Sequence, residues 1–471
     1  MINLLYISHS SYRGGAEVAL LTLIKLLDRS TIKPLVILPH EGYLSGELEK
    51  IGVPWLLLEI PWWLRGPWLA GPHSLLGSSW SGDLASLDLM ELLGLTDNAV
   101  KLRLKKLVEI IKDNEIHVVH TNTFPILEGA LAAGIAGVKH VWQLHEVDEG
   151  HPSLLPRLPA TARYWLLDAL SDAVVVFSDY MRKFFTPHVA ADRLFLIYAG
   201  VESDFGHLGL NDPKREKIRW QCRQELGLAQ EHHVICSVGH ADRFKGWLDL
   251  VAAADQLVKK WDKVRFIVVG DTQRDTFPEV EAQVHRLGLA GKIVFTGPRA
   301  DAQRIMLASD VVFQPSLWES LSIVAIEGMS LSLPVVATRC GGPDEVIRHQ
   351  ETGFLVPVGD HEAMTLALET LLDNPEKRRD FGKAGRQVYL EKFTPRLYAN
   401  KFMELYHKVI RTDRPSGSTN QAAVTAFASL YAGLLGTVMQ TEHTRQRLET
   451  IVKSSSYRLM APLRKLRKMF R

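Results

Sequence analysis

The chain has 471 residues, of which 46% are hydrophobic and 23% are charged, and its formal net charge is +2. These proportions are those of an average soluble globular protein, and the length predicts two or three domains. The charge balance gives no indication of a nucleic-acid partner, and none is expected. No apolar run reaches the roughly 18 residues that a membrane-spanning helix needs, so no such helix is expected.

Short runs of Val, Ile and Leu alternate with helical patterns through the first 199 residues. This alternation predicts a parallel sheet that helices cover on both faces. The predicted strands are 2–7, 34–38, 55–58, 118–120, 141–144, 174–177 and 194–197. Helices are predicted between most of them, for example at 16–27 and 98–111.

A second series of strands begins after a polar stretch, 211–231, which contains a predicted helix at 214–226. The strands of this series are 234–239, 266–270, 293–295, 311–314 and 335–337. We place a domain boundary near Gly200 and predict an α/β protein with two Rossmann-like, doubly wound domains, 1–199 and 200–394. Ligands of such sheets bind at the carboxyl ends of the strands, here in a cleft between the domains.

A Trp-rich insertion, 61–95, interrupts the first series. It holds four tryptophans among Gly, Pro and Ser and is too long for an ordinary connection. Two interpretations are equally open. The insertion is either a mobile surface segment or an aromatic, amphipathic face toward a lipid-linked acceptor or the membrane surface.

The C-terminal region, 412–471, forms a predicted linker and a helical, basic tail. Its stretch 422–447 has an apolar helical face for a partner or a lipid surface. Residues 453–471 contain seven Lys or Arg and no Asp or Glu, interleaved with Leu, Met and Phe. Each cation near an anionic membrane contributes on the order of 1 kcal/mol, so peripheral membrane attachment is favoured over a solvated basic tail.

The three cysteines, Cys222, Cys236 and Cys340, are far apart in the sequence. No pair has the spacing of a metal site or a redox motif, so we expect reduced thiols of a cytosolic protein. The first seven residues lack a basic region and a cleavage site. We therefore expect no export signal and a cytoplasmic location at the inner face of the cell membrane.

The stretch 314–329 carries the clearest indication of a ligand site. A predicted strand ends there, and a helix begins near Ser320. Ser320 and Ser322 are suited to cap this helix, whose free backbone N–H groups form a site for an anion. Glu319 stands at the mouth of that site.

Glu327 lies on the same predicted helix, which is apolar nearly all round and is expected to be buried. An ionised carboxylate in such a place is costly without partners. Two interpretations remain open from the residues alone. Glu327 either pairs with an Arg or Lys inside its domain or accepts hydrogen bonds from ligand hydroxyls, such as those of a ribose.

Glu319 and Glu327, on a loop and the following helix, resemble the Glu-x7-Glu signature of the retaining glycosyltransferases of family 4. Further segments that resemble markers of this family follow one another at 238–246, 268–271, 294–297, 341–347 and 352–357. The resemblance covers roughly residues 1–410. It implies the GT-B type of fold, in which a final helix, 395–411, crosses back to the first domain.

The resemblance implies roles for individual residues of the second domain. Arg243 and Lys245 would neutralise the diphosphate of a nucleotide-sugar donor, together with the helix start at Ser320, Leu321 and Ser322. Glu327 would bind the ribose and Glu319 the transferred sugar, and residues around Arg299 would meet the base. The cations take the place of a metal ion, and the sequence has no Asp-x-Asp, so no metal or other cofactor is expected.

In the first domain the resemblance points to two loops. Gly14 and Gly15 follow the first strand, where glycines let the backbone approach a ligand, and they would face the phosphate and sugar of the donor. His145 follows the strand 141–144 and matches a histidine that contacts the sugar in this family. Ser178 is a weaker candidate.

The resemblance therefore implies a metal-independent hexosyltransferase that retains the anomeric configuration. Its donor would be a nucleoside diphosphate sugar, and its acceptor a glycan or lipid-linked glycan in bacterial surface-polysaccharide synthesis. Two alternatives stay open, a nucleotide-sugar epimerase of the same fold and a non-catalytic subunit that has kept the fold. The intact set of Arg243, Lys245, Glu319 and Glu327 argues against the second.

Overall fold

A computed structural model of the chain describes residues 1–60, 64–65, 98–148, 155–156, 160–274 and 276–412. Most of the Trp-rich insertion and all of the tail beyond Thr412 lie outside these ranges, so the predictions on them stay predictions. The described residues form two compact units. The first comprises Met1–Phe177, Met181–Ile197 and the described residues from Ala399, and the second comprises Ser178–Tyr180 and Tyr198–Tyr398.

The first unit contains a seven-stranded parallel sheet in the order β3-β2-β1-β5-β6-β8-β9. Its strands are β1 (Ile2–Ser8), β2 (Ile32–Leu38), β3 (Trp55–Leu57), β5 (Val118–Asn122), β6 (Lys139–Leu144), β8 (Ala173–Val176) and β9 (Leu194–Leu196). Two short strands, β4 (Leu64–Arg65) and β7 (Leu155–Pro156), pair antiparallel. The strand order reverses between β1 and β5, and such a switch point is where open α/β sheets bind ligands.

Helices follow most strands of the first sheet. They are α1 (Gly15–Lys25), α2 (Tyr43–Lys50), α3 (Asn98–Asp113), α4 (Glu128–Ala136), α5 (Ala160–Leu170) and α6 (Asp179–Phe185). The strands β5 and β8 are buried along their whole length because helices cover both faces of the sheet.

The second unit contains a six-stranded parallel sheet in the order β12-β11-β10-β13-β14-β15. Its strands are β10 (His233–Val238), β11 (Val264–Val269), β12 (Ile293–Gly297), β13 (Val311–Gln314), β14 (Val335–Thr338) and β15 (Gly353–Val356). The order reverses between β10 and β13, which are hydrogen-bonded neighbours. The two parallel sheets confirm the predicted fold class of two doubly wound α/β units.

The helices of the second unit are α7 (Pro213–Glu225), α8 (Trp247–Lys260), α9 (Phe277–Arg286), α10 (Ala302–Leu307), α11 (Ile323–Ser330), α12 (Pro343–Val346), α13 (His361–Asp373) and α14 (Pro375–Lys392). A last helix, α15 (Pro395–Arg411), begins in the second unit and ends in the first. In the first unit its buried Tyr406 hydroxyl lies 2.6 Å from His120 Nδ1 and 3.1 Å from the Tyr6 hydroxyl. None of the helices in the described ranges is long and apolar enough to span a bilayer.

The predicted strands all overlap observed strands, but β15 was not predicted. It is short and begins with Gly353, and glycine is depleted in strands. The prediction that the helix of Glu327 is buried is only partly right. Ile323 is exposed and Glu327 is half-buried, because one side of the first turns of α11 is open to solvent.

Candidate functional site

The switch point of the second sheet brings two predicted segments together. A 3-10 turn, Arg243–Lys245, follows β10, and the loop 315–322 follows β13. The Leu317 N–H donates to the Phe244 carbonyl at 2.7 Å, which ties the loop to the turn. The segments therefore share one edge of the sheet, at the carboxyl ends of its strands.

Glycine 246 makes this close approach possible. Its φ is +69°, a backbone conformation that residues other than glycine rarely adopt. A Cβ at this position would lie 1.8 Å from the Pro315 carbonyl oxygen. On the other side of the loop, Gly342 packs against Leu321, where a Cβ would lie 2.5 Å from the Leu321 Cα. The loop that carries Glu319 is thus held between two glycine contacts.

Glu319 is the centre of a hydrogen-bonded cluster. Its Oε1 accepts from Lys245 Nζ at 2.7 Å, from Gln314 Nε2 at 2.9 Å and from Ser316 Oγ at 2.9 Å. Glu319 is only 8% exposed, so these bonds offset the cost of burying its charge. No described residue donates to Glu319 Oε2. That oxygen is available to a ligand hydroxyl.

A group of anion-binding donors lies on the same turn and loop. The Arg243 side chain is exposed and forms no hydrogen bond or ion pair with a described residue. Within the described chain, the backbone N–H groups of Ser320, Leu321 and Ser322 also donate to no acceptor. Consecutive free N–H groups before a helix, beside an unpaired cation, suit a phosphate or diphosphate.

Ser322 caps α11 through its side chain, which accepts from the Ala325 N–H at 3.2 Å and donates to Gln314 Oε1. Gln314 therefore connects Ser322 to Glu319. Neither Gln314 nor Ser316 was predicted as a site residue. Their position at the end of β13, just before Glu319, was the available signal.

Glu327 and Arg299 make contacts outside this cluster. Glu327 Oε1 accepts from Gln303 Nε2 at 3.3 Å, and no hydrogen bond joins Glu327 to Glu319 among the described residues. Arg299 follows β12, two strands away from β10, and forms a bidentate ion pair with Asp301 at 2.8 Å. Arg299 is thus already paired with an acid.

The carboxyl edge of the first sheet has a different character. Gly14 precedes α1, and Gly15 begins it. The Glu17 side chain folds back over Gly14, where a Cβ would lie 2.6 Å from Glu17 Oε2. Burial raises the pKa of Glu17 to about 7, although the N–H groups of Glu17 and Gly14 oppose the shift. His9 Nδ1 lies 3.3 Å from Glu17 Oε1, and burial lowers the pKa of His9 to about 4.

His145 follows β6, and its Nε2 lies 2.8 Å from the Asn122 side-chain oxygen. Burial lowers the pKa of His145 well below its ordinary value, and the nearby His9 and His120 add to this. Gln143 Nε2 lies 3.1 Å from the same ring nitrogen, so Nε2 faces both an acceptor and a donor. The lowered pKa makes the ring neutral at pH 7.

Sequence reasoning missed His9, Glu17, Asn122 and Glu146 at this edge. Burial raises the pKa of Glu146 to about 7, and its Oε1 accepts from Thr123 Oγ1 at 3.2 Å. His9 and Glu146 follow β1 and β6, Asn122 ends β5, and Glu17 lies in the first turn of α1, so only the strand order could have brought them together. Ser178 is fully buried. In the described ranges no group of three or more His, Cys, Asp or Glu is arranged to hold a metal ion.

Two known families match consecutive parts of the chain. Residues 218–388 match the Glycosyl transferases group 1, and residues 94–205 match Glycosyltransferase Family 4. Alpha-maltose-1-phosphate synthase of Mycolicibacterium smegmatis is 30% identical over 312 residues, which cover 62% of this chain and 79% of that protein. D-inositol 3-phosphate glycosyltransferase of Segniliparus rotundus is 30% identical over 283 residues, which cover 59% of this chain and 60% of that protein.

The solved structure of Anabaena HepE in complex with UDP-glucose has a similar fold. Its TM-score is 0.68 at 22% identity, and the match covers 87% of this chain and 100% of that chain. The fold and the cationic switch-point site together define a two-unit α/β protein of the GT-B type. The chain belongs to the group 1 glycosyltransferases.

Proposed function

We propose that the protein transfers a hexose-like sugar from a nucleoside diphosphate sugar to an acceptor hydroxyl. The observation that carries this proposal is the Lys245–Glu319 pair at the switch point of the second sheet, 2.7 Å apart. It lies beside an unpaired Arg243 and three free backbone N–H groups. The proposal is supported by the donor of the similar HepE structure, which is UDP-glucose.

The diphosphate of the donor binds Arg243, Lys245 and the N–H groups of residues 320–322. Negative charge grows on the diphosphate as the bond to the sugar breaks, so fixed cations and N–H donors stabilise the transition state more than the ground state. This set supplies the charge that a metal ion supplies in other transferases. We therefore expect transfer without a metal or other cofactor.

The two glutamates bind hydroxyl groups of the donor. Glu319 Oε2 has no donor among the described residues and accepts from the transferred sugar. Glu327 is half-buried and keeps its carboxylate near solvent on α11, where it accepts from the ribose. Gly14, Gly15 and His145 are assigned to the sugar and phosphate, and the region of Arg299 to the base.

Retention of the anomeric configuration is part of the proposal. Glu319 holds a lysine through Oε1 and sits in a hydrogen-bonded cluster, which suits binding rather than nucleophilic attack. Retaining glycosidases instead place two carboxylates about 5–5.5 Å apart, one as nucleophile. We propose front-face attack, in which the departing phosphate takes the proton of the acceptor hydroxyl.

The acceptor we propose is a glycan or lipid-linked glycan of bacterial surface-polysaccharide synthesis, reached at the cytoplasmic face of the membrane. This rests on the sequence of residues 61–95 and 453–471, where aromatic or apolar residues occur with Gly and Pro or with cations.

The test is product analysis with UDP-, GDP-, ADP- and dTDP-glucose in the absence of added acceptor. The proposal predicts slow release of one nucleoside diphosphate with free glucose that first appears as the α anomer, seen by proton NMR. Lys245→Ala should abolish the release, whereas Lys259→Ala, which removes an exposed ion pair on α8, should leave it intact. Conversion to an epimeric nucleotide sugar would establish the epimerase, and β-glucose would refute retention.

A further inference from the structure

An exposed aromatic pair lies at the carboxyl edge of the first sheet. Tyr12, in the loop after β1, lies against His40, which follows β2, with ring centroids 4.4 Å apart and ring planes tilted by 42°. Tyr12 is 70% exposed, more than any other aromatic side chain in the described chain. The strands β1 and β2 are parallel neighbours, so the pair stands at the edge where such sheets bind ligands.

Single exposed tyrosines are ordinary on protein surfaces, so exposure alone assigns nothing. The loop of Tyr12 is, however, fixed by its own hydrogen bonds. The Tyr12 N–H donates to Ser10 Oγ at 3.0 Å, and the Tyr12 carbonyl accepts from the Gly14 N–H at 3.1 Å. Ser11 accepts from the Leu44 N–H at 3.0 Å, which ties the loop to α2. A ring on such a loop loses little entropy when a ligand stacks on it.

Polar groups that can still bind a ligand lie at the Tyr12–His40 ring pair. His40 Nδ1 lies 2.9 Å from the Glu41 carbonyl and donates to it, which leaves Nε2 as an acceptor for a hydroxyl. Arg13 is exposed, lies 5.6 Å above the Tyr43 ring and forms no ion pair with a described residue. Arg13 acts electrostatically on the Glu47 carboxylate, but Lys50 Nζ already binds that carboxylate at 2.6 Å.

We propose that Tyr12, His40 and Arg13 form an acceptor subsite for a pyranose ring that carries an anionic group. The flat face of the sugar stacks on Tyr12, a sugar hydroxyl donates to His40 Nε2, and the guanidinium of Arg13 binds the anionic group. Arg is suited to this because its planar fork binds a carboxylate or a phosphate through two donors. The inference rests on the proposed function, since only a transferase needs a separate acceptor.

The test uses three pyranoses, namely methyl glucoside, methyl glucuronide and glucose 6-phosphate, of which the last two carry an anionic group at C6. Their dissociation constants are measured by ligand-observed NMR titration of the full chain, with inorganic phosphate as the anion without a ring. At least one acidic pyranose should bind about tenfold more tightly than the neutral glucoside, as expected for one charge-assisted contact. Which of the two binds better identifies the anionic group.

The variants separate the ring from the charge. Tyr12→Ala should weaken binding of all three pyranoses about tenfold, the usual effect of losing one stacking aromatic. Arg13→Gln should remove the preference for acidic ligands and keep the neutral affinity. Trp220→Ala, which removes a 39% exposed aromatic of the second unit, should change nothing.

The subsite is refuted if Tyr12→Ala binds all ligands as the wild type does, if acidic and neutral pyranoses bind equally, or if inorganic phosphate alone matches glucose 6-phosphate. The donor site is checked in parallel by the thermal shift with UDP, GDP, ADP and dTDP in the wild type and in Tyr12→Ala. A subsite that fails while the shift with one nucleotide persists leaves the proposed transferase intact. The absence of a shift with all four nucleotides in the wild type would refute the proposed function instead.

Discussion

The carboxyl edges of the two sheets differ in the surroundings that they give to buried ionisable side chains. In the second unit, the buried Glu319 accepts hydrogen bonds from Lys245, Gln314 and Ser316 through one of its oxygens. In the first unit, burial outweighs the hydrogen bonds that Glu17 and Glu146 accept and raises the pKa of both to about 7, and burial lowers the pKa of His145. The same fold thus provides one edge that holds ions and one edge that favours neutral groups.

The two edges therefore suit different parts of a ligand. A fixed set of ions and N–H donors suits a diphosphate, whose charge is large and grows during reaction. A set of neutral imidazoles and half-protonated carboxyls suits hydroxyl groups, which need donors and acceptors but no net charge. Substitutions at either edge can test this difference.

The largest effect is expected from Glu319→Ala. It removes the proposed acceptor for the sugar hydroxyl and leaves Lys245, Gln314 and Ser316 without their common partner. The rate of nucleoside diphosphate release should fall by about 10²–10³, as when one preorganised polar group is removed from an active site. Glu351→Ala, at an exposed ion pair of the same unit, is the matched control. An activity within threefold of the wild type would contradict the role proposed for Glu319.

Gly246→Ala tests whether the loop of Glu319 depends on its close contact with the turn. The new Cβ would lie 1.8 Å from the Pro315 carbonyl oxygen, in a residue whose φ is +69°. We expect the free energy of unfolding to fall by more than about 3 kcal/mol, because strain and overpacking add. The control is Gly359→Ala, with φ of +74° and no atom within 4 Å, which should cost only about 1 kcal/mol. Equal losses of unfolding free energy in the two variants would show that the contact of Gly246 with Pro315 does not affect stability.

Glu17→Gln tests the neutral edge through pH. The folded-state pKa of Glu17, about 7, lies above its ordinary value of 4.5, so the protonated carboxyl stabilises the fold and this contribution disappears as pH rises through 7. Denaturant unfolding should show the variant gaining on the wild type between pH 4.5 and 8, by up to about 3 kcal/mol. A difference that does not change with pH would contradict the raised pKa.

The smallest effect is expected from Ser316→Ala, which removes one of the three donors to Glu319 Oε1. A single hydrogen bond to a charged group is worth about 1.5–3 kcal/mol, and two donors remain, so we expect a decrease in kcat/KM of about tenfold. Ser309→Ala, a buried hydroxyl that bonds to the Ile305 carbonyl, is the control. An unchanged kcat/KM would show that Lys245 and Gln314 alone hold the carboxylate.

The sequence predicted every strand of the two parallel sheets except β15, because buried parallel strands appear as continuous runs of branched residues, as at 173–176. It also indicated Lys245 and Glu319, since the markers of a known family surround them. It did not indicate that Gln314 joins Glu319 to Ser322, because that link depends on side-chain direction at the end of β13. Nor did it indicate the Glu17 and Glu146 edge, whose members come from strands more than 100 residues apart.

The most direct test of the central claim is thermal unfolding of the wild type and Lys245→Ala with UDP, GDP, ADP and dTDP. A diphosphate at 100 times its dissociation constant stabilises the folded state by about 2.7 kcal/mol. The account predicts a clear rise in Tm with one of the four nucleotides and its loss in Lys245→Ala. No rise with any nucleotide, or an equal rise in the variant, would contradict a diphosphate site at the Lys245–Glu319 pair.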